Sequence, residues 1–188
     1  MLDTLKTPLK LPSYKTLSQH EGKGNYAVRR YYIFPFSFFY RYKLRMVAKL
    51  LGNKVHHNIL DYGSGPGIFT EELKKHSLFV HEKEFGQRVH PKWRFDVAVC
   101  ASVLEFVNLD QVLHEIYILL KPAGKIVVAS PLKNKLTSLY FWLVRSKFKR
   151  HSHDEILSKV SRYFIIEKYE SWLGLYFALR GRKRIYIE

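Results

Sequence analysis

The stretch Ile59-Leu60-Asp61-Tyr62-Gly63-Ser64-Gly65-Pro66-Gly67 decides how this chain folds. Its apolar opening reads as a short buried strand that closes on an acid. Three alternating glycines follow, and a backbone without Cβ atoms can turn sharply and approach a ligand closely. Phe69-Thr70-Glu71-Glu72-Leu73 then opens a helical stretch, so the glycines lie between a strand end and a helix N-terminus. In an open α/β sheet ligands bind there, outside the carboxyl ends of the strands.

Working outward, further strands are expected over 57–62, 78–82, 95–101 and 125–130, separated by helical segments. In 109–120, Val112, Leu113, Ile116, Leu119 and Leu120 recur at helical spacing and face one way. Strand alternating with helix predicts a doubly wound, mostly parallel α/β sheet covered on both faces. Residues 163–169 and 175–180, joined by a short loop containing Gly174, read as a C-terminal antiparallel hairpin. Upstream, 25–51 is helical with an interruption at Pro35. Phe38, Phe39, Tyr42, Met46 and Leu50 form its apolar stripe, and Arg41, Lys43, Arg45 and Lys49 decorate the remainder.

The spacing G-x-G-x-G, preceded by Asp-x, differs from the G-x-G-x-x-G of dinucleotide sites. It resembles motif I of the class I S-adenosylmethionine-dependent methyltransferases. Phe95-Asp96-Val97-Ala98-Val99-Cys100-Ala101-Ser102 is similar to the fourth strand and following loop of that family, and Leu119-Leu120-Lys121-Pro122-Ala123-Gly124 to the turn before its fifth strand. The resemblance implies a Rossmann-like fold, S-adenosylmethionine as cofactor and in-line methyl transfer. Gly63, Ser64, Gly65 and Gly67 would cradle the methionine part of the cofactor, and Asp61 would brace that loop or meet the cofactor's ammonium. An acid at the end of the second strand would take both ribose hydroxyls. Gapless spacing from Asp61 points to Glu84, the apolar run Leu78-Phe79-Val80 to Glu82, and both stay open. Ala101 and Ser102 would line the methionine portion.

One interval departs from the family. Only ten residues, 85–94, separate the second strand from the strand at Phe95, too few for the usual helix and third strand. Ten extended residues span at most ~35 Å, and a return over two strand spacings needs roughly 20 Å. A direct crossing is therefore expected, with the third strand missing and the second exposed as an edge. The adenine side of the pocket, which the family builds after its third strand, is thereby left without assigned residues.

Other residues bear on catalysis and partners. Glu105 is followed by Phe106 where metal-binding relatives carry histidine, so no metal is expected. His151 and His153 are candidates for a base near the acceptor, although Ser152 with Glu155 also forms a capping box. Cys100, the single cysteine among 188 residues, reads as a buried core residue of a reducing compartment. The polar start reads as no signal peptide, and the apolar runs are too short to span a bilayer. The expectation is a cytoplasmic protein: a flexible segment over 1–24, then one domain over 25–188.

A formal net charge of +16 points to anionic partners, nucleic acid or a membrane face. In 133–150, basic residues (Lys133, Lys135, Arg145, Lys147, Lys149, Arg150) flank Leu139-Tyr140-Phe141-Trp142-Leu143-Val144, a pattern suited to a helix at a membrane interface. The leading reading is methyl transfer to a small, lipid-like acceptor. RNA methylation and a non-catalytic binding protein of the same fold are the alternatives.

Overall fold

The computed structural model describes residues 8–20, 28–34, 36–90, 92–135, 137–138 and 151–185. Its elements are α1 (Tyr14–Leu17), α2 (Phe36–Leu51), β1 (His56–Tyr62), α3 (Thr70–Leu73), β2 (Ser77–Lys83), β3 (Phe95–Ala101), α4 (Leu109–Leu119), β4 (Leu120–Pro131), α5 (His153–Tyr163), β5 (Phe164–Trp172) and β6 (Tyr176–Lys183), with 3-10 turns at Ser18–His20 and Val28–Tyr31. One six-stranded sheet runs β2-β1-β3-β4-β6-β5. The first four strands are parallel, and the β5–β6 hairpin joins antiparallel through β6 on β4. The Rossmann-like α/β sheet expected from the sequence is the one that forms.

Strand alternation sorts the core into two layers. Ile59, Val97, Val99, Val127 and Ala129 face α2 and α3. Leu60, Ala98, Cys100, Ile126 and Val128 face α4 and α5. Burial pushes the Cys100 thiol far above its usual range, consistent with an inert core residue. Asn108 caps α4 by accepting the Gln111 N–H at 3.1 Å, and Ser152 caps α5 by accepting that of Glu155 at the same distance.

The short crossover shapes the sheet as expected. Among the described residues, no strand or helix lies between β2 and β3, and β2 is an edge strand. Val89 of this connection packs on the α4–α5 side. The helix expected after the glycines is a single turn, α3.

Within 1–24, residues 8–20 are described and pack on the domain. Leu17 is buried, the Lys10 N–H donates to Glu72 Oε2 at 2.5 Å, and Tyr32 donates its hydroxyl to Pro12 O at 2.6 Å. Of the segment 133–150 expected as an interfacial helix, residue 136 and residues 139–150 lie outside the described residues. Among the described residues, no helix is long and apolar enough to cross a membrane.

One expectation for α2 is corrected. Lys43 does not decorate the solvent face; with Leu44, Met46, Val47 and Leu50 it belongs to the buried set, and it is 1% exposed. The stripe is wider than the spacing of the large aromatics indicates, because the 3-10 turn, β3, β4 and β6 all cover this helix. Near its start, Tyr42 stacks on Trp172 of the hairpin with ring centroids 4.1 Å apart.

Candidate active site

The glycine loop continues β1 for one step and then turns away. Gly63 N–H donates to Lys83 O at 2.7 Å, and Gly67 N–H to Ser64 O at 3.1 Å. Gly63, Gly65 and Gly67 have φ of +73°, +58° and +73°, a region L side chains rarely adopt. Space matters as well at Gly63, where a Cβ would stand 2.5 Å from Val103 Cγ2.

Three carboxylates surround this loop. Glu84 accepts from the Gly65 N–H and, at 3.2 Å, from Ser64 Oγ. Glu82 accepts from Thr70 Oγ1, which also lies 3.4 Å from Asp61 Oδ2. A hydroxyl carries one proton, so Thr70 cannot donate to both acids at once. Burial, reinforced by the charges of Glu82 and Glu84, pushes Asp61 up to about 7, against the opposing Thr70 hydrogen bond. A protonated Asp61 can supply the second hydrogen bond by donating to Thr70. The two second-strand acids that the sequence left unresolved thus have different partners: Glu84 holds the glycine loop, Glu82 the first turn of α3.

At the end of β3, Ala101 leads into Ser102, whose φ is +62°. Two bonds hold this left-handed serine. Its N–H donates to Ala129 O at 2.7 Å, and Lys43 Nζ donates to its Oγ at 2.6 Å. Lys43 Nζ also donates to Tyr31 OH at 3.3 Å and lies 5.6 Å and 5.3 Å from the ring centroids of Tyr31 and Tyr40. Burial lowers the Lys43 pKa, while Tyr40 and Glu105 push it back up. Tyr31 is driven well above the usual phenol range, by burial first and then by Tyr40, Glu105 and Asp61. Glu105 itself is buried and accepts from Ser130 Oγ at 3.0 Å.

His151 and His153 sit at and beside the start of α5. The His151 ring lies between Glu155 Oε1 and Val107 O, each at 2.8 Å, and the His151 backbone N–H donates to Glu105 O at 3.1 Å. His153 contacts Asp154 Oδ1 at 2.8 Å and Tyr169 OH at 3.0 Å. Both rings are engaged by neighbours, and of the two only His151 adjoins the Glu105 region. Sequence reasoning missed Lys43, Tyr31 and Tyr40, and weighed Glu105 only as a metal ligand. The one available signal was a lysine at i−4 and i−7 from the core residues Val47 and Leu50.

This arrangement fits S-adenosylmethionine on two counts. The three left-handed glycines present bare backbone that a ligand can approach closely, and the acids clustered at the loop, Asp61, Glu82 and Glu84, suit a cationic ligand. A glycine loop at the β1 end and an antiparallel hairpin closing the sheet are the fold of the class I methyltransferases. A family model for a methyltransferase domain matches residues 36–173, more than half of the chain, so the chain belongs to the S-adenosylmethionine-dependent methyltransferases.

Solved structures share the fold. The N-methyltransferase NodS from Bradyrhizobium japonicum WM9, in complex with S-adenosyl-L-homocysteine, is 16% identical, with a TM-score of 0.63 over 90% of this chain and 97% of that one. A possible histamine N-methyltransferase from Thermotoga maritima gives 16% identity and a TM-score of 0.57 over 79% and 90% of the two chains. The [4+2]-cyclase SpnF gives 14% identity and a TM-score of 0.55 over 76% and 80%. No curated protein matches the chain in sequence.

Proposed function

We propose that the protein methylates a small acceptor held beneath its N-terminal segment, at the carboxyl ends of β3 and β4, with the donor on the glycine loop. The observation that carries this reading is the loop itself: three left-handed glycines between β1 and α3, with Glu84 bonded to the backbone of Gly65. S-adenosylmethionine supplies an activated methyl group on a good leaving group, so the protein's task is positioning and exclusion of water. Glu84 exchanges its bonds to Gly65 and Ser64 for the two ribose hydroxyls, Asp61 neutralises the ammonium, and Ala101 and Ser102 line the methionine chain. Glu82 keeps α3 in place through Thr70.

For the acceptor, a lipid-like molecule met at an anionic surface is the finer reading. It is supported by the net charge of +16 and by Ile33, Phe34 and Phe38, exposed at 40%, 82% and 42% in the segment that carries Tyr31 and Tyr40. The same charge is what favours RNA as the alternative acceptor. Incubation with a methyl-labelled donor and, separately, lipid, water-soluble and RNA fractions of a cell extract tests this. Label entering the lipid fraction supports the reading, label confined to RNA overturns it in favour of the alternative, and label in the water-soluble fraction keeps only the small acceptor.

A further inference from the structure

A primary amine held out of water is an unusual object, and this fold places one beside the segment assigned to the donor's methionine portion. Lys43 reaches from α2 to Ser102 at 2.6 Å, is 1% exposed, and has no carboxylate within ion-pairing distance among the described contacts. A lysine required only for packing would be better served by an apolar side chain, since burying an ammonium without a direct counter-ion is unfavourable. The groups facing it are Tyr31 from the 3-10 turn, Tyr40 from α2 itself, Ser102 and Glu105 from the β3–α4 loop, and Asp61 from β1, felt through Tyr31. Arg30 donates to Tyr40 OH at 3.4 Å. From β6, Arg180 reaches α2 at its far end, on Leu50 O. The charge of Glu105 favours an ammonium at Lys43, while burial favours the neutral amine.

We propose that Lys43 accepts the proton released in methyl transfer, and therefore that the acceptor offers an O–H or N–H group. As the acceptor heteroatom bonds to the methyl carbon, the carbon–sulfur electron pair stays on sulfur. The heteroatom's proton then passes to the lone pair of Lys43 Nζ. One positive charge thus leaves the sulfonium and one appears on Lys43, so the buried pocket keeps its total charge. That balance requires a neutral amine while the sulfonium is bound. An ammonium there opposes the donor but not its thioether product. The inference rests on the donor reading above, and its test separates the two.

The test needs no acceptor. Calorimetric titration of the wild type, Lys43→Met and Lys43→Arg with S-adenosylmethionine and with S-adenosylhomocysteine, in buffers of different ionisation enthalpy, counts the protons exchanged on binding. Asp61 meets an ammonium in both ligands and cancels in the difference between them. The wild type is expected to release more protons with the sulfonium donor than with the thioether, and its preference for the donor is expected to rise with pH. Lys43→Met should lose both effects while still binding. Lys43→Arg, always charged, should disfavour the donor relative to the thioether at every pH. Methionine fills the site with an apolar chain of similar length, and the thioether titration itself reports whether each variant is folded. Binding of both ligands with no difference in protons, or the same difference in Lys43→Met, overturns the role of Lys43 and leaves the donor site standing. Binding of neither ligand to the wild type overturns both.

Discussion

Glu84 turns back from the end of β2 to accept the backbone N–H of Gly65, tying the second strand to the loop that follows the first. This contact preorganises the loop, and on the proposed reading the carboxylate exchanges it for the ribose hydroxyls. Replacing Glu84 by alanine removes hydrogen bonds to a charged group, each worth about 1.5–3 kcal/mol. Affinity for S-adenosylhomocysteine is expected to fall roughly ten- to hundredfold, measured by calorimetry. Glu82→Ala, which releases Thr70 instead, should lower the melting temperature more than it lowers that affinity.

On the proposed reading, Asp61 should make binding depend on pH. Its pKa stands at about 7 in the folded protein, against an ordinary 3.8. If the ligand's ammonium meets Asp61 as proposed, it favours the carboxylate, so below about pH 7 binding must first expel a proton, weakening by at most about tenfold per pH unit. S-adenosylhomocysteine affinity should therefore rise up to about pH 7 and level off above it; Asp61→Asn should flatten the curve. The stability of the ligand-free protein runs the other way. The unfolded chain loses this proton near pH 4 and the folded chain near 7, so the folded state binds more protons in between and Asp61 removes stability as pH rises through that window. Asp61→Asn is expected to melt higher than the wild type at pH 8.

Gly63 and Gly52 provide a matched comparison. Both have positive φ, but a Cβ at Gly63 meets Val103 at 2.5 Å, whereas none of the surrounding atoms lies within 4 Å of one at Gly52. Gly52→Ala should cost about 1 kcal/mol of strain. Gly63→Ala adds a clash with a stiff, buried side chain and should cost about 2 kcal/mol or more. Denaturant melts of the two variants check the ordering.

Trp172 joins the N-terminal helix to the hairpin by stacking on Tyr42 and meeting Phe38 and Phe39 at 5.6 Å and 5.8 Å. Trp172→Ala is expected to destabilise the fold by about 3–5 kcal/mol. Because it loosens α2, it should also relax the seat of Lys43, seen as faster hydrogen exchange of the α2 amides near residue 43.

The parts of the fold legible in the sequence are those fixed by local pattern. Strand β3 and the glycine turn carry their signals within a few residues, and the tight 85–94 crossing follows from chain length alone. Choosing between Glu82 and Glu84 was not a local problem. Leu78 and Phe79 look like core but are 66% and 63% exposed on an edge strand, while Lys83 is buried. Lys83 lies 3.1 Å from Glu115 and sits over the Tyr62 ring. The apolar run was thus a poor guide to where β2 ends. Lys43 was hidden for a related reason, since its partner Ser102 lies 59 residues away. A lysine on a helix reads as solvent-facing until tertiary contacts cover it.

The central claim, that the hinge from Asp61 to Gly67 receives the donor, is tested most directly by hydrogen exchange with and without S-adenosylhomocysteine. Slowed exchange at the amides of Gly63 to Gly67 and of Glu84 to Gly86 is the predicted result. Unchanged exchange in both segments at saturating ligand, with the protein folded, would contradict it.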